Sequence, residues 1–287
     1  MIFLLPSLIG FALFLFIPIL SSMLLSFTNY KGSFEKMKFI GLANFEVLLS
    51  DTKFWQSVKV TLVFVAFCVL FQLVLGFLFA KLLTGRLRGR TLFRAFLFLP
   101  VVLPSVAVCI AFIFIFHPSN GPANQLLQSL GLPAAPWLQD PSTALLTIII
   151  VFVWQSFGYY MVIFLSGLQS INENLYEAAD IDGASGWRKL FHITLPSLSP
   201  IIFFSVIISI INAFKAFDHI YIMTGGQYGG GPADSTRVLA FDIYQNGFLF
   251  WQIGYGAAES VVLFIIVISI TIIQNRLQNR WVVYDAE

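Results

Sequence analysis

The sequence predicts an all-α membrane protein, because it is too apolar for a water-soluble domain and its apolar residues form runs of membrane-spanning length. Hydrophobic residues make up 58% of the 287 positions, charged residues only 10%, and 32 positions are phenylalanine. The mean hydropathy is +0.87. Soluble domains carry roughly 25% charged residues, so this composition indicates a chain that crosses a lipid bilayer several times.

Six apolar runs are long enough to cross roughly 30 Å of hydrocarbon at about 1.5 Å of helix per residue. They comprise residues 2–27, 58–83, 93–116, 144–168, 198–214 and 255–273. The first run exceeds the apolar core of a signal peptide, and no small-residue cleavage site follows it before Lys31. We therefore expect a retained helix. It begins at Met1 without flanking charge, which leaves open whether a native segment precedes it.

Proline and aromatic residues predict two local features of this bundle. Pro100 and Pro104 fall inside the third run, where they should kink the helix and free backbone carbonyls that need buried partners. The long loop after the first run contains Asn44-Phe45 and Phe54-Trp55. This pattern favours an interfacial helix with its aromatic residues at headgroup depth.

A polar segment, residues 170–196, interrupts what is otherwise one predicted transmembrane domain spanning 1–287. Ser170 to Glu173 reads S-x-x-E, a capping box that predicts a helix start. Gly183 is predicted to end that helix in a left-handed conformation, and Ser185 to cap a second one. The second helix should carry Trp187, Phe191 and Thr194 on one face until Pro196 ends or kinks it. Neither helix is long enough to be stable alone, so the pair needs a surface to lie on.

The same segment resembles a known family. Its pattern is Glu177-Ala178-Ala179, then three residues, Gly183, nine residues and Ile193-x-Leu195-Pro196. This pattern resembles the EAA loop of inner-membrane permease subunits of binding-protein-dependent ABC importers. Further stretches are similar to the carbohydrate (maltose and multiple-sugar) branch: Asp182-Gly183-Ala184-Ser185, Trp154-x-x-Phe157-Gly158-Tyr159, Gly41-Leu42-x-Asn44-Phe45 and Ala213-Phe214-Lys215-Ala216-Phe217-Asp218. The resemblance extends over nearly the whole chain.

This resemblance implies a six-helix type I permease bundle whose EAA loop docks in a groove of a cytosolic ATPase subunit. The implied coupling residues are Glu177, Ala178, Ala179, Asp180, Gly183, Trp187, Phe191, Ile193, Leu195 and Pro196. The implied partners are a second homologous permease, in a heterodimer or a homodimer, a dimer of nucleotide-binding ATPase subunits and an extracytoplasmic solute-binding protein. ATP and Mg²⁺ would bind to the ATPase subunits.

The chain itself is predicted to be a transport subunit without a cofactor, metal or catalytic site. It has no G-x-x-x-x-G-K-[ST] phosphate-binding loop, and none of the common hydrolase or zinc-protease patterns. No cysteine-ligand metal spacing occurs. The formal net charge of +2 is too small to indicate nucleic-acid binding.

The solute path is predicted from polar groups at membrane depth. Gln155, Ser156 and Tyr159 lie near the middle of the fourth run beside Trp154 and Phe157. An aromatic wall with a few hydrogen-bonding groups suits a sugar, whose ring faces are apolar and whose edges carry hydroxyls. The resemblance implies the path residues Gln155, Ser156, Tyr159, Asn212 and Ala216. A role in helix packing carries equal weight for each position. Lys215 and Asp218 are expected to form a mutual or interfacial ion pair.

Basic residues favour cytoplasmic N- and C-termini, and the resemblance implies the cytoplasmic membrane of a bacterium or archaeon. Five basic residues lie in the stretch from the last residues of the second run to the first residues of the third: Lys81, Arg86, Arg88, Arg90 and Arg94. The loop from His117 to Pro141 has no Lys or Arg, and Arg276 and Arg280 follow the sixth run. The first loop nevertheless carries five lysines, Lys31, Lys36, Lys38, Lys53 and Lys59. The EAA resemblance decides the orientation, because that loop is cytosolic in the family.

The function predicted is therefore that of the permease subunit of an ATP-driven importer of a sugar or oligosaccharide. An ABC importer for a polyol or glycerophosphodiester stays open. So does a secondary transporter driven by protons or sodium, with Glu259 or Asp218 as the coupling acid. That class predicts internal repeats with broken helices, which the sequence does not show.

Overall fold

The computed structural model describes residues 4–85 and 88–281, and these residues fold into helices and loops. Arg86, one of the bases used for orientation, lies outside this described part. The long helices are α1 (Leu5–Leu25), α3 (Thr52–Thr84), α7 (Pro141–Ser170) and α13 (Ile253–Trp281). Between them lie α2 (Ala43–Ser50), α4 (Arg90–Val102), α5 (Ser105–Ile115), α6 (Pro122–Ser129), α8 (Glu173–Ile181), α9 (Gly186–Ser197), α10 (Ser199–Phe214), α11 (Asp218–Met223) and α12 (Leu239–Tyr244).

Within the described residues, four helices are long and apolar enough to cross a membrane, or up to six spans if two bent pairs each count as one. The bent pairs are α4 with α5, at 98°, and α9 with α10, at 67°. The six predicted runs thus recur, but the third is broken rather than merely kinked. Pro104 is the physical reason, because a proline disfavours helical geometry in the residue before it. Leu103 is accordingly extended, with φ −74° and ψ 140°.

The predicted interfacial helix forms only in part. Asn44 lies on α2, where its amide donates to the carbonyl oxygens of Ser26, at 2.7 Å, and Thr28, at 2.8 Å. Phe54 and Trp55 belong instead to α3, which starts earlier than its apolar run because the Asp51 carboxylate caps it by accepting from the Lys53 N–H at 2.8 Å. The first loop is therefore tied to the end of α1 and leads directly into the second long helix.

The core of the bundle is built on α3 and α7, which pack against each other along much of their length. Phe64 and Cys68 of α3 and Ile148 and Val151 of α7 are fully buried at this contact. The Asp140 carboxylate caps α7 by accepting from the Ser142 N–H at 2.8 Å, and hydrogen bonds from Ser142 lower the pKa of Asp140. This helix then positions the polar residues of the fourth run against α4, α10 and α11.

Gly158 permits α4 to lie against α7, and we expect Gly158→Val to destabilise the fold. A β-carbon at Gly158 would lie 2.3 Å from the Leu97 carbonyl oxygen, so the helices would have to separate. Overpacking of this kind costs on the order of 1–3 kcal/mol. The measurement is the melting temperature of the detergent-solubilised protein by fluorescence-detected gel filtration. The control is Gly10→Val, because a β-carbon at Gly10 meets no atom within 4 Å. Equal melting of both variants would contradict the proposed contact.

Candidate functional sites: a membrane cavity and a polar loop

A cavity of about 440 Å³ lies where α7 and the end of α10 meet the break in the third span and the start of α11. The predicted path residues Gln155, Ser156, Tyr159, Asn212 and Ala216 all line it. Sequence reasoning did not place several other wall residues there: Gln72, Val101, Ser105, Phe152, Tyr160, Lys215, Phe217, Asp218 and His219. The fold therefore brings the predicted positions together and adds polar groups from α3, α5 and α11.

Gln155 connects three elements at one end of this cavity. Its amide nitrogen donates to the Leu103 carbonyl oxygen at 3.0 Å, and its amide oxygen lies 2.7 Å from the His219 Nε2. Since the Gln155 nitrogen is the donor to Leu103, its oxygen must accept from a protonated His219 Nε2. The Leu103 carbonyl oxygen at the proline break therefore accepts a hydrogen bond from a side chain of another helix, as the sequence predicted. Both polar atoms of the 9% exposed Gln155 side chain are occupied within the protein.

Ser156 is likewise engaged by neighbouring helices. Its hydroxyl accepts from the Gln72 amide nitrogen at 2.7 Å and donates to the Phe152 carbonyl oxygen at 2.5 Å. The Gln72 amide oxygen accepts from the Ser209 hydroxyl at 2.6 Å, so this chain of bonds links α3, α7 and α10. Sequence reasoning missed Gln72, although an isolated amide in an apolar run is a signal for such a bond.

Tyr159 and Asn212 present their polar groups to the cavity more openly. Tyr159 is 37% exposed, and its hydroxyl has no hydrogen-bond partner among residues 4–85 and 88–281. Asn212 is also exposed, and its side chain contacts the Tyr160 hydroxyl. Of the five predicted path residues, Tyr159 and Asn212 are therefore the better placed to contact a solute. Gln155 and Ser156 instead form hydrogen bonds that connect the helices of the cavity wall.

Lys215 and Asp218 do not form an ion pair with each other, which was one of the two expected arrangements. Among the described residues the ion pairs are Lys189 with Asp180 and Arg237 with both Asp234 and Asp242. Asp218 instead accepts from the Ser105 hydroxyl at 2.7 Å. The reason is that α10 ends at Phe214 and α11 begins at Asp218, so the two charged residues do not share a helix face.

Glu259, the acid considered for ion coupling, lies outside the wall of this cavity. Its side chain is 0% exposed, and one carboxylate oxygen accepts from the Asn246 amide at 2.9 Å.

Arg237 forms two ion pairs in the segment before α13. It donates to Asp242 at 2.6 Å and to Asp234 at 3.0 Å. Burial opposes the charged form of Arg237, but these two carboxylates outweigh it and raise the Arg237 pKa above its ordinary value. The ion pairs of Arg237 with Asp234 and Asp242 stabilise the segment before α13.

The polar loop begins differently from the prediction. Ser170 is the last residue of α7, and its hydroxyl donates to the Gly167 carbonyl oxygen at 2.8 Å. Asn172 caps α8 instead, since its side-chain oxygen accepts from the Asn174 N–H at 3.0 Å. The predicted capping box is therefore wrong, because α7 continues two residues beyond its apolar run and Ile171 is extended.

The turn between α8 and α9 matches the prediction. Gly183 has φ +68°, and the Ala184 N–H donates to the Ala179 carbonyl oxygen at 2.8 Å, which closes the end of α8. Ser185 caps α9 by accepting from the Arg188 N–H at 3.4 Å. An ion pair between Lys189 and Asp180 links the two helices.

Three large apolar side chains of this loop are left mostly exposed by the other described residues. Ile181 is 88% exposed, Trp187 72% and Phe191 57%, and the two aromatic rings stack with centroids 6.0 Å apart. The remaining coupling residues divide into two groups. Glu177, Ala178, Asp180 and Gly183 are exposed, and Ala179, Ile193, Leu195 and Pro196 are half-buried.

Thr194 does not lie on the face of Trp187 and Phe191, as had been predicted. It is buried, and its hydroxyl lies 2.9 Å from the Tyr176 hydroxyl. The reason is a π-helical turn from Leu190 to Thr194, whose wider hydrogen bonding shifts the helix phase. Thr194 consequently holds α9 against α8 and takes no part in the exposed surface.

Residues 72–283 match the family of binding-protein-dependent transport system inner membrane components. The chain belongs to this family. It is 40% identical to the probable ABC transporter permease protein YesP of Bacillus subtilis (strain 168), with 99% of this chain and 92% of that protein covered. It is 35% identical to the trehalose/maltose transport system permease protein MalF of Thermococcus litoralis, with 94% and 90% covered. The resemblance inferred from the sequence is thereby confirmed.

The permease fold also matches a solved structure. A bacterial alginate ABC transporter in complex with an alginate pentasaccharide-bound periplasmic protein contains a chain that superposes with a TM-score of 0.84. The identity is 24%, and 97% of this chain and 93% of that chain are covered. Like its relatives, this permease is a transport subunit and not an enzyme, and the ATPase is a separate subunit. It is an inner membrane component whose transport depends on a solute-binding protein.

Proposed function

We propose that this permease imports a sugar or oligosaccharide through a path that includes the cavity between α7 and α10. The observation that carries the proposal is the composition of the cavity wall. Phe152, Tyr159 and Phe217 supply aromatic surface, and Asn212 and the Tyr159 hydroxyl supply hydrogen-bonding groups. Such a wall suits the apolar faces and polar edges of a pyranose ring. The trehalose/maltose system of the Thermococcus relative supports the same class of solute.

We further propose that the exposed face formed by Ile181, Trp187 and Phe191 binds a cytosolic ATPase subunit. Exposed apolar patches rimmed by polar residues mark protein interaction sites, and tryptophan is enriched at their energetic centres. ATP and Mg²⁺ would bind to a dimer of those subunits. Because α9 continues into α10 across the 67° bend, movement of the docked loop would reach the cavity and drive alternating access.

The remaining parts of the assembly follow from this docking surface. If the polar loop faces the cytosol, the N- and C-termini are cytoplasmic and the solute-binding protein approaches from outside. We propose that a second, homologous permease completes the path. No residue of α1 from Leu5 to Leu25 is buried, so this helix has apolar surface available to lipid and to that partner.

Uptake by the reconstituted importer tests the proposed function. The permease, purified with its co-expressed partner subunits and the solute-binding protein, would be placed in proteoliposomes with a panel of saccharides and polyols. We expect saccharide uptake that requires ATP and is insensitive to an uncoupler. Uptake abolished by the uncoupler would favour an ion-driven transporter. Uptake confined to polyols or glycerophosphodiesters would replace the sugar assignment.

A further inference from the structure

Lys215 places a positive charge in the wall of the cavity, and no carboxylate of the described residues lies within 4.0 Å of its ammonium group. It follows the last residue of α10, with its backbone N–H bonded to the Ile211 carbonyl oxygen, and its side chain is exposed. Within residues 4–85 and 88–281, its ammonium group takes part in no ion pair and no side-chain hydrogen bond. A charged side chain at membrane depth is costly unless it pairs or faces a water-filled path, and there it marks the route of a solute.

Among the described residues, no other ionisable group of the wall is paired with this ammonium group. Asp218 lies three residues further on, but no Asp218 oxygen approaches the Lys215 ammonium within 4.0 Å. The Asp218 carboxylate is held by the Ser105 hydroxyl of α5. His219 is bonded to Gln155, and the remaining titratable groups, Tyr159 and Tyr160, are phenols. Lys215 is thus a cation of this wall whose ammonium group is bonded to no other described residue.

We propose that Lys215 binds the anionic group of the solute, and that the imported saccharide is therefore acidic, bearing a carboxylate or a phosphate. This inference rests on the proposed function. A charge-assisted hydrogen bond is roughly twice as strong as a neutral one, so an ammonium group favours an anionic sugar over its neutral counterpart. The sugar ring would meet Tyr159 and Phe217, which line the same cavity, while its acidic group lies at Lys215.

Matched solutes and matched variants in the reconstituted importer test this assignment. The solutes are a disaccharide with one uronic acid, the same disaccharide with a hydroxymethyl group in place of the carboxylate, and its 6-phosphate. The variants are Lys215→Gln, Lys215→Arg and, as control, Lys53→Gln, which removes an exposed lysine from the start of α3. The readouts are KM and kcat of ATP-driven uptake, together with co-purification of the partner subunits.

We expect Lys215→Gln to raise KM for the acidic solute on the order of 10- to 100-fold, since it removes a hydrogen bond to a charged group. Lys215→Arg should retain most of the affinity, and the neutral solute should show little change in any variant. Comparing the uronic acid with the 6-phosphate shows which anionic group Lys215 binds. It is the group of the solute that wild type takes up with the lower KM and for which Lys215→Gln raises KM.

Three results would overturn the inference while the proposed function stands. Wild type could import only the neutral disaccharide, Lys215→Gln could alter both solutes equally, or Lys215→Gln could lose a partner subunit on purification. The last two would make Lys215 a structural or interface residue. ATP-dependent uptake of no saccharide at all would instead refute the proposed function.

Discussion

Gly183→Asp is expected to insert into the membrane at the wild-type level but to lose most of its association with the ATPase subunits. Gly183 has φ +68°, and a β-carbon in the left-handed region costs about 1–2 kcal/mol. The new carboxylate would also stand beside the exposed Asp180 and Asp182, on a surface that has to be desolvated on docking. Space is not the reason, because a β-carbon at Gly183 would meet no atom within 4 Å.

Gly183→Asn separates the two causes of this loss. Asparagine and aspartate both tolerate the left-handed conformation better than other side chains, so the two variants differ mainly in charge. We expect Gly183→Asn to retain more of the ATPase subunit than Gly183→Asp. The measurements are co-purification of the ATPase with the inserted permease and solute-stimulated ATP hydrolysis. Wild-type values of both for Gly183→Asp would show that this loop is not the coupling element.

Gln155→Leu is expected to lower the melting temperature of the permease and to abolish transport. Leucine leaves both the Leu103 carbonyl oxygen and the His219 Nε2 without the partner that Gln155 supplies. An unsatisfied buried polar group costs about 1–3 kcal/mol, and His219 is only 7% exposed. The break between α4 and α5 would then lose the side chain that bonds it to α7, so the cavity wall itself would change.

Tyr159→Phe is the matched control for Gln155→Leu. It removes only a hydroxyl group that has no partner among the described residues, four positions away on the same helix. It should therefore melt like wild type and change only the KM of the solute. Differential scanning fluorimetry of the purified protein and uptake kinetics give the two readouts. A wild-type melting temperature in Gln155→Leu would show that the two hydrogen bonds do not support the wall.

Local chemistry made several features of this permease predictable. Four of the apolar runs recur as single long helices, the third span bends at the prolines where a kink was predicted, and Gly183 adopts a positive φ followed by a serine cap. Each depends on a residue and its near neighbours in sequence. The EAA spacing added the family, which the match over residues 72–283 confirms.

Features that depend on distant partners were not predictable in the same way. The capping box at Ser170 failed because α7 continues through that residue, and Thr194 left its predicted face because of a π-helical turn. Gln155 and Ser156 were predicted as solute contacts from their polarity and from the family resemblance, neither of which reveals their hydrogen-bond partners. Only the fold shows that both are bonded to other helices, and that Tyr159 and Asn212 remain open to the cavity.

The sequence by itself therefore determined the class of protein, the number of apolar runs and the geometry of the turn at Gly183, since these arise from composition, helix length and the steric limits of single residues. Tertiary structure alone decided which polar groups pair across the bundle, as in the bond from Ser209 to Gln72. It also decided that Asp218 bonds to Ser105 and leaves Lys215 facing the cavity. The partner of a charged or amide side chain is chosen by whichever helices the fold brings within about 3 Å of it.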